Sequence, residues 1–252
     1  MSALAALDAE RIKLSTTRSP LWSVVGAAVL SFAIAALQGW SAYGYTPLPP
    51  GKAALGVAVF GVPVLMVLAS MTMTGEYRTG LIRTTFMATP NRSVVLAAKA
   101  IVCAAFSSVA AIVMVLGAVL VARLFTDPLI AVDLSPTNPA TWQVAGSFAL
   151  YAALAAILGV AVGALVRFSA GAVAVLLLWP LVAEPLLANM PGNGAQIGPW
   201  LPFVHMYRFL DVDWLFPSYA MPWGPVGSLI YFVVLVVVVF AAAVVVLNRR
   251  DA

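Results

Sequence analysis

The residues best equipped for chemistry fall in one stretch, GEYRTGLIRTTFMATPNR from Gly75 to Arg92. It sets one carboxylate, Glu76, among Arg78, Arg83 and Arg92, with Tyr77, Thr84 and Thr85 between them. An acid among arginines suits charge-complementary docking of a partner, and the same cations suit contact with anionic lipid heads. Tyr77, Leu81, Ile82 and Phe86 spread around a helix instead of forming one stripe, Gly80 marks a division into two arms, and Pro90 ends the segment. Residue chemistry leaves docking element and lipid-facing basic loop both open. Nucleotide binding is a different matter. The closest approach to a phosphate loop is the spacing of Gly75 and Gly80, and Leu81 and Ile82 stand where the lysine and hydroxyl would be required.

Other reactive groups are sparse. His205 is the only histidine and Cys103 the only cysteine, so no internal disulfide and no zinc framework can form, and no metal site is expected. Neither HExxH nor GxSxG occurs, and no catalytic residue is assigned. His205, beside Met206 and Tyr207, reads as an interfacial polar residue. Glu184 is the one carboxylate in an apolar stretch that suggests an ion pathway. Next to Pro185, it stands equally for a hydrated boundary residue and for a substrate or proton contact.

The elements that carry these groups follow from composition. Of 252 residues, 63% are hydrophobic and 9% charged, whereas a soluble domain averages about 25% charged. A core of this size could not hide that much apolar surface from water, so the expected solvent is lipid. Stretches of the length needed to cross a bilayer run from Leu21 to Gln38, Ala53 to Thr74, Val94 to Leu124, Trp142 to Val166, Ala170 to Leu187, and Pro225 to Leu247. Lys99 and Arg123 lie near the ends of the third, where long side chains can snorkel outward. The fifth is interrupted at Pro180 and is expected to tilt, kink or break. The predicted class is all-α: one six-helix membrane domain over residues 21–252, preceded by an amphipathic interfacial helix over 1–20, with short outer helices in 188–224.

Charge placement sets the orientation. Arg11, Lys13, Arg18, Arg78, Arg83, Arg92, Lys99, Arg167, Arg249 and Arg250 share one side of a six-span chain. The other side receives Lys52, Arg123 and Arg208 with Asp127, Asp133, Glu184, Asp211 and Asp213. The basic side is the cytoplasmic one, which places both termini there and the protein in the plasma membrane. Trp40, Trp142, Trp179, Trp200, Trp214 and Trp223 map to the outer half and Trp22 to the inner. A net charge of +4 is too small to argue for nucleic acid. Leu4, Leu7, Arg11, Leu14 and Arg18 recur along one side of the N-terminal helix, with Lys13 adding a cation, and Asp8 and Glu10 argue against a cleaved signal. Ala155, Gly159 and Gly163, every fourth residue, form a small-residue face for close helix packing.

The Gly75–Arg92 stretch resembles the region after the second span of ABC-2 type transporter permeases, the short actinobacterial ones in particular. Glu76, Tyr77, Gly80, Ile82, Arg83, Thr84, Thr85, Pro90 and Lys99 match that pattern. AERIKLSTTRSPLW, from Ala9 to Trp22, is similar to the family's amphipathic leading helix, and VVVLNRRDA to its last-span exit. The resemblance implies a permease half that pairs with a second permease subunit and with cytoplasmic ATPase subunits encoded separately. ATP and magnesium would be bound by the ATPase, and no cofactor by this chain. It further implies that the N-terminal helix and residues 75–92 contact the ATPase, with Glu76 as the family's acidic residue. Scarcity of charge along the spans favours an amphipathic or hydrophobic cargo, lipid or drug-like. An ion-coupled carrier working alone and a membrane anchor that transports nothing are the competing expectations.

Overall fold

A run of Ala, Val and Leu long enough to cross hydrocarbon satisfies its backbone polar groups as a helix, since a strand edge would face lipid unpaired. The computed structural model describes residues 3–42, 47–212, 216, 217 and 219–249. Asp213, Trp214 and Arg250 lie outside the described residues, among which no strand occurs. The helices are α1 (Ala3–Thr16), α2 (Arg18–Ser41), α3 (Pro50–Ala53), α4 (Val62–Thr79), α5 (Leu81–Ala88) and α6 (Arg92–Phe125). There follow α7 (Pro139–Val166), α8 (Ser169–Leu178), α9 (Glu184–Ala188), α10 (Gly194–Ile197), α11 (Pro202–Phe209) and α12 (Pro225–Arg249). Among the described residues six stretches of helix are long and apolar enough to cross a membrane: Pro20–Ser41, Val57–Thr79, Arg92–Phe125, Pro139–Val166, Ser169–Ala188 and Pro225–Arg249.

The fifth of these does not break. Pro180 and Pro185 each remove a backbone donor, and the chain takes up the misfit as one wide π turn, Trp179–Ala183, that joins α8 to α9. A second π turn, Val57–Gly61, leads into α4 ahead of Pro63.

Contacts between remote residues define two ends of the bundle. At one, the Arg92 guanidinium donates to the Leu247 carbonyl at 2.9 Å and the Asn248 amide to Ser93 Oγ at 3.0 Å, joining the start of α6 to the finish of α12. At the other, the Leu48 N–H donates to the Ile130 carbonyl at 3.1 Å, beside the finishes of α2 and α6. The helix α7 runs through the middle, packed by α4, α6 and α12, and is 67% buried over its apolar window against 17% for α12. A long apolar core fills the bundle. A second core, which includes Met73, Ile82, Phe86, Leu96 and Leu247, lies toward the Arg92 end.

The small-residue face predicted on α7 meets α4 within the chain. Ala155 is buried, a Cβ at Gly159 would collide with the Met66 carbonyl oxygen, and one at Gly163 would lie 2.6 Å from the Ser70 carbonyl oxygen. Gly146, on the same helix, has open space around it. Gly159→Ala should therefore cost about 1–3 kcal/mol through overpacking, while Gly146→Ala should be neutral or slightly stabilising. Thermal unfolding of the detergent-solubilised protein followed by circular dichroism checks this; equal shifts in the two variants would show that the α4/α7 contact is looser than described.

Candidate functional site

The last turn of α4 carries Glu76, and four residues later Gly80 adopts φ +74°, a left-handed conformation that glycine takes without a Cβ penalty. This reversal makes the two arms expected from the sequence and lets α5 pack back with Ile82 and Phe86, spaced i, i+4, in the second core. Asn91 then caps α6, its side chain accepting from the Val94 N–H at 3.3 Å. Two turns into α6 stands Lys99. Across from it lies the buried face of α1, formed by Ala6 and Glu10, with Lys13 one turn further on.

These placements bring four charges together. The Lys99 ammonium is 2.7 Å from Glu10 Oε2 and 2.7 Å from Glu76 Oε1. Lys13 donates to Glu10 Oε1 at 2.9 Å and to Glu76 Oε1 at 2.7 Å, and the Thr85 hydroxyl donates to Glu76 Oε2 at 3.2 Å. The quartet is neutral overall and ties α1, α4, α5 and α6 into one unit. Lys99 is 1% exposed, so it does not snorkel: an ammonium this deep loses several kcal/mol of hydration, which only close, hydrogen-bonded carboxylates offset. Burial alone would push the Lys13 ammonium down, but its hydrogen bonds to Glu76 and Glu10 outweigh that and hold it above the ordinary lysine value. Lys13 thus contributes to stability throughout the range below that ordinary value and loses its contribution only in more alkaline solution.

The row predicted along α1 differs from the face that packs. Leu4, Arg11 and Arg18 are exposed, Leu14 is half-buried, and the helix docks on α6 through Ala6 and Glu10. Among the described residues Arg11 pairs with Asp8 alone, at 3.8 Å on the surface. Glu10 and Lys99 were not singled out as site residues by sequence. The available signal was Lys99 itself, a lone cation inside an apolar run, which demands a carboxylate from another segment.

The remaining residues of the connection divide by face. The Tyr77 ring lies under the Arg167 guanidinium, 5.0 Å from its centroid, and Arg92 lies 5.2 Å from the centroid of Phe86. Arg167 takes the left-handed position that terminates α7, at φ 59°. Arg78, Arg83 and Thr84 are exposed, as are Leu81 and, at 74%, Met87. Beside the quartet opens a cavity of about 510 Å³ between α1, α4, α5 and α6.

Toward the other end, Glu184 and His205 are both fully buried. Glu184 is therefore not a hydrated boundary residue. Its carboxylate accepts from the Trp179 indole at 2.8 Å and from the Phe203 N–H at 2.9 Å, which clips the π turn to the start of α11. His205 is enclosed by protein atoms as well. Its Nδ1 lies 3.1 Å from Ser228 Oγ and its ring packs against Trp223 and Tyr231. Burial pushes the imidazole below its ordinary value. Among the described residues no group of His, Cys, Asp and Glu is placed to hold a metal ion.

Breaking a buried ion pair from one side leaves its partner uncompensated, at about 3–5 kcal/mol. Lys99→Met should therefore lower the thermal midpoint well beyond the effect of Lys13→Met, whose ammonium is partly hydrated. The exchange Glu10→Lys with Lys99→Glu should regain part of the loss. Indifference of the midpoint to Lys99→Met would contradict the quartet. No family model matches the chain and no curated protein matches it, so the geometry of the site itself must carry the argument for its role.

Proposed function

We propose that the chain is the membrane-spanning permease subunit of an ATP-binding-cassette exporter of the ABC-2 type. It moves an amphipathic or hydrophobic substrate by means of separate ATPase subunits that bind ATP and magnesium, and it pairs with a second permease subunit. The observation that carries this proposal is the outward face of α5. Leu81 and Met87 are exposed there beside Arg83 and Thr84, on a short helix whose other face is anchored in the core by Ile82 and Phe86. In this account the quartet end is cytoplasmic, since Arg11, Lys13, Arg18, Arg78, Arg83, Arg92, Lys99 and Arg249 gather at it. Apolar side chains exposed beside Arg83 and Thr84 suit a protein partner that takes them out of water.

The quartet gives the docked helix its leverage. A displacement of α5 is passed to α4 and α1 through Glu76 and Thr85, and to α6 through Lys99, because these groups share hydrogen bonds instead of meeting through solvent. Glu76 acts inside this linkage: 8% exposed and bonded on both oxygens, it has little capacity left for a partner. Contact with the ATPase then falls to Leu81, Arg83, Thr84 and Met87, with Arg78 at the edge. The carrier alternative rests on Glu184, whose carboxylate accepts from the Trp179 indole and the Phe203 N–H.

The test is affinity purification from mild detergent extracts of the native membrane, with ATP hydrolysis measured on the product. A P-loop ATPase should co-purify in near-equal amount. It should be lost, together with hydrolysis, in the double variant Leu81→Glu, Met87→Glu, whose insertion and thermal midpoint should be unchanged because both positions face outward. Reproducible purification without an ATPase, or full hydrolysis in the double variant, would overturn the proposal.

A further inference from the structure

The cavity beside the quartet has a polarity gradient along its length. On α4 and α6 its wall is formed by Leu68, Met71, Val102 and Cys103, and toward the end of the bundle it is lined by Lys13, Thr17, Arg78 and Thr84. From Leu68 to Arg78 is ten residues of one helix, about 15 Å at about 1.5 Å per residue. An occupant would thus be apolar where it lies against Leu68, Met71, Val102 and Cys103, would pass the paired Glu76 and Lys99, and would be polar at the tip, at the level where the apolar spans finish. Its volume of about 510 Å³ falls in the range of small-ligand sites.

The charges select the tip. Lys13, Lys99 and Arg78 line the cavity against Glu10 and Glu76, which leaves one positive charge over. Lys99 is enclosed by its two carboxylates. Lys13 spends two of its three N–H groups on Glu10 and Glu76, which leaves a donor free on an ammonium that is half exposed. Arg78 is exposed and makes no ion pair among the described residues. An anion placed between Lys13 and Arg78 would meet two cations with free donors.

We infer that this cavity binds one acyl chain of an anionic phospholipid from the adjoining leaflet, with the phosphate held by Lys13 and Arg78 and the chain running along Leu68, Met71, Val102 and Cys103. The inference requires only that the bundle spans a bilayer and is independent of any ATPase. Such a lipid would sit against both α1 and α4, so it would add to the hold that the quartet has on the N-terminal helix.

The experiment uses the full chain reconstituted in phosphatidylcholine vesicles doped with phosphatidylglycerol that carries a diazirine on one acyl chain. After illumination, adducts are mapped by peptide mass spectrometry. They should concentrate on residues 68–72 and 102–103, fall about fivefold in Arg78→Ala, and be lost there in Met71→Trp, which fills the half-exposed mouth. The same diazirine on phosphatidylcholine should label these residues far less. Adducts spread evenly over the exposed faces of α2 and α12 would overturn the site, and equal labelling by the two headgroups would overturn its anionic selectivity. Both of these results are read on the unaltered protein, so they decide the matter even if a variant fails to fold.

Discussion

An ammonium buried two turns inside an apolar helix is the constraint around which the basic end of this bundle is arranged. Lys99 cannot reach water from its position on α6, and lipid cannot solvate it, so carboxylates must be delivered to it from elsewhere in the chain. Glu76 comes from the last turn of α4 and Glu10 from α1, and those two acids together would overcompensate one lysine. Lys13 balances them. Once the four charges are in place, the position of α1 on α6 and the point at which α4 must turn are both set. A buried pair of this kind is weak evidence for extra stability over an apolar substitute, but it is strongly directional, and it fixes one docking of α1 in preference to sliding along the bundle.

The rest of the end follows from that arrangement. Because α4 must finish just after Glu76, a residue able to take a left-handed conformation is needed there, and Gly80 supplies it. The reversal brings Thr85 within reach of Glu76 and sinks Ile82 and Phe86 into the second core, which leaves Leu81 and Met87 outside. Arg167 and Arg92 close the remaining edge by lying over Tyr77 and Phe86. The far end is built on a comparable device, with Glu184 gathering donors from the π turn and the start of α11. There the carboxylate is satisfied by an indole and a backbone N–H instead of by cations, so it locks the corner between α9 and α11.

Much of the helical layout was legible in the sequence, because spans announce themselves by the absence of charge: the third predicted stretch lies within α6 and falls short by a residue or two at each end, and the fourth starts three residues late in α7 and finishes with it at Val166. The division at Gly80 and the small-residue face at Ala155, Gly159 and Gly163 could be read for the same reason, each being a local pattern with one geometric use. Side-chain partnership could not. Periodicity puts Leu4, Leu7, Arg11, Leu14 and Arg18 in a row on α1, yet the packed face is chosen by Ala6 and Glu10, since a short residue and an acid suit the neighbourhood of Lys99. Glu184 and His205 look like boundary residues because a sequence does not reveal how Pro-rich turns fold over a group. Phe203 and Ser228 come from segments too distant to be paired with them by spacing.

The central claim is that the charge quartet holds α1, α4, α5 and α6 as one mechanical unit, and pulsed electron paramagnetic resonance on the chain reconstituted in a bilayer tests it most directly. Spin labels replacing the exposed residues Arg11 on α1 and Met87 on α5, in a Cys103→Ser background, report the distance across the unit. The account predicts one narrow distance distribution that broadens when Lys99→Met is added. A distribution already broad with the quartet intact, or a narrow one that Lys99→Met leaves unchanged, would contradict it.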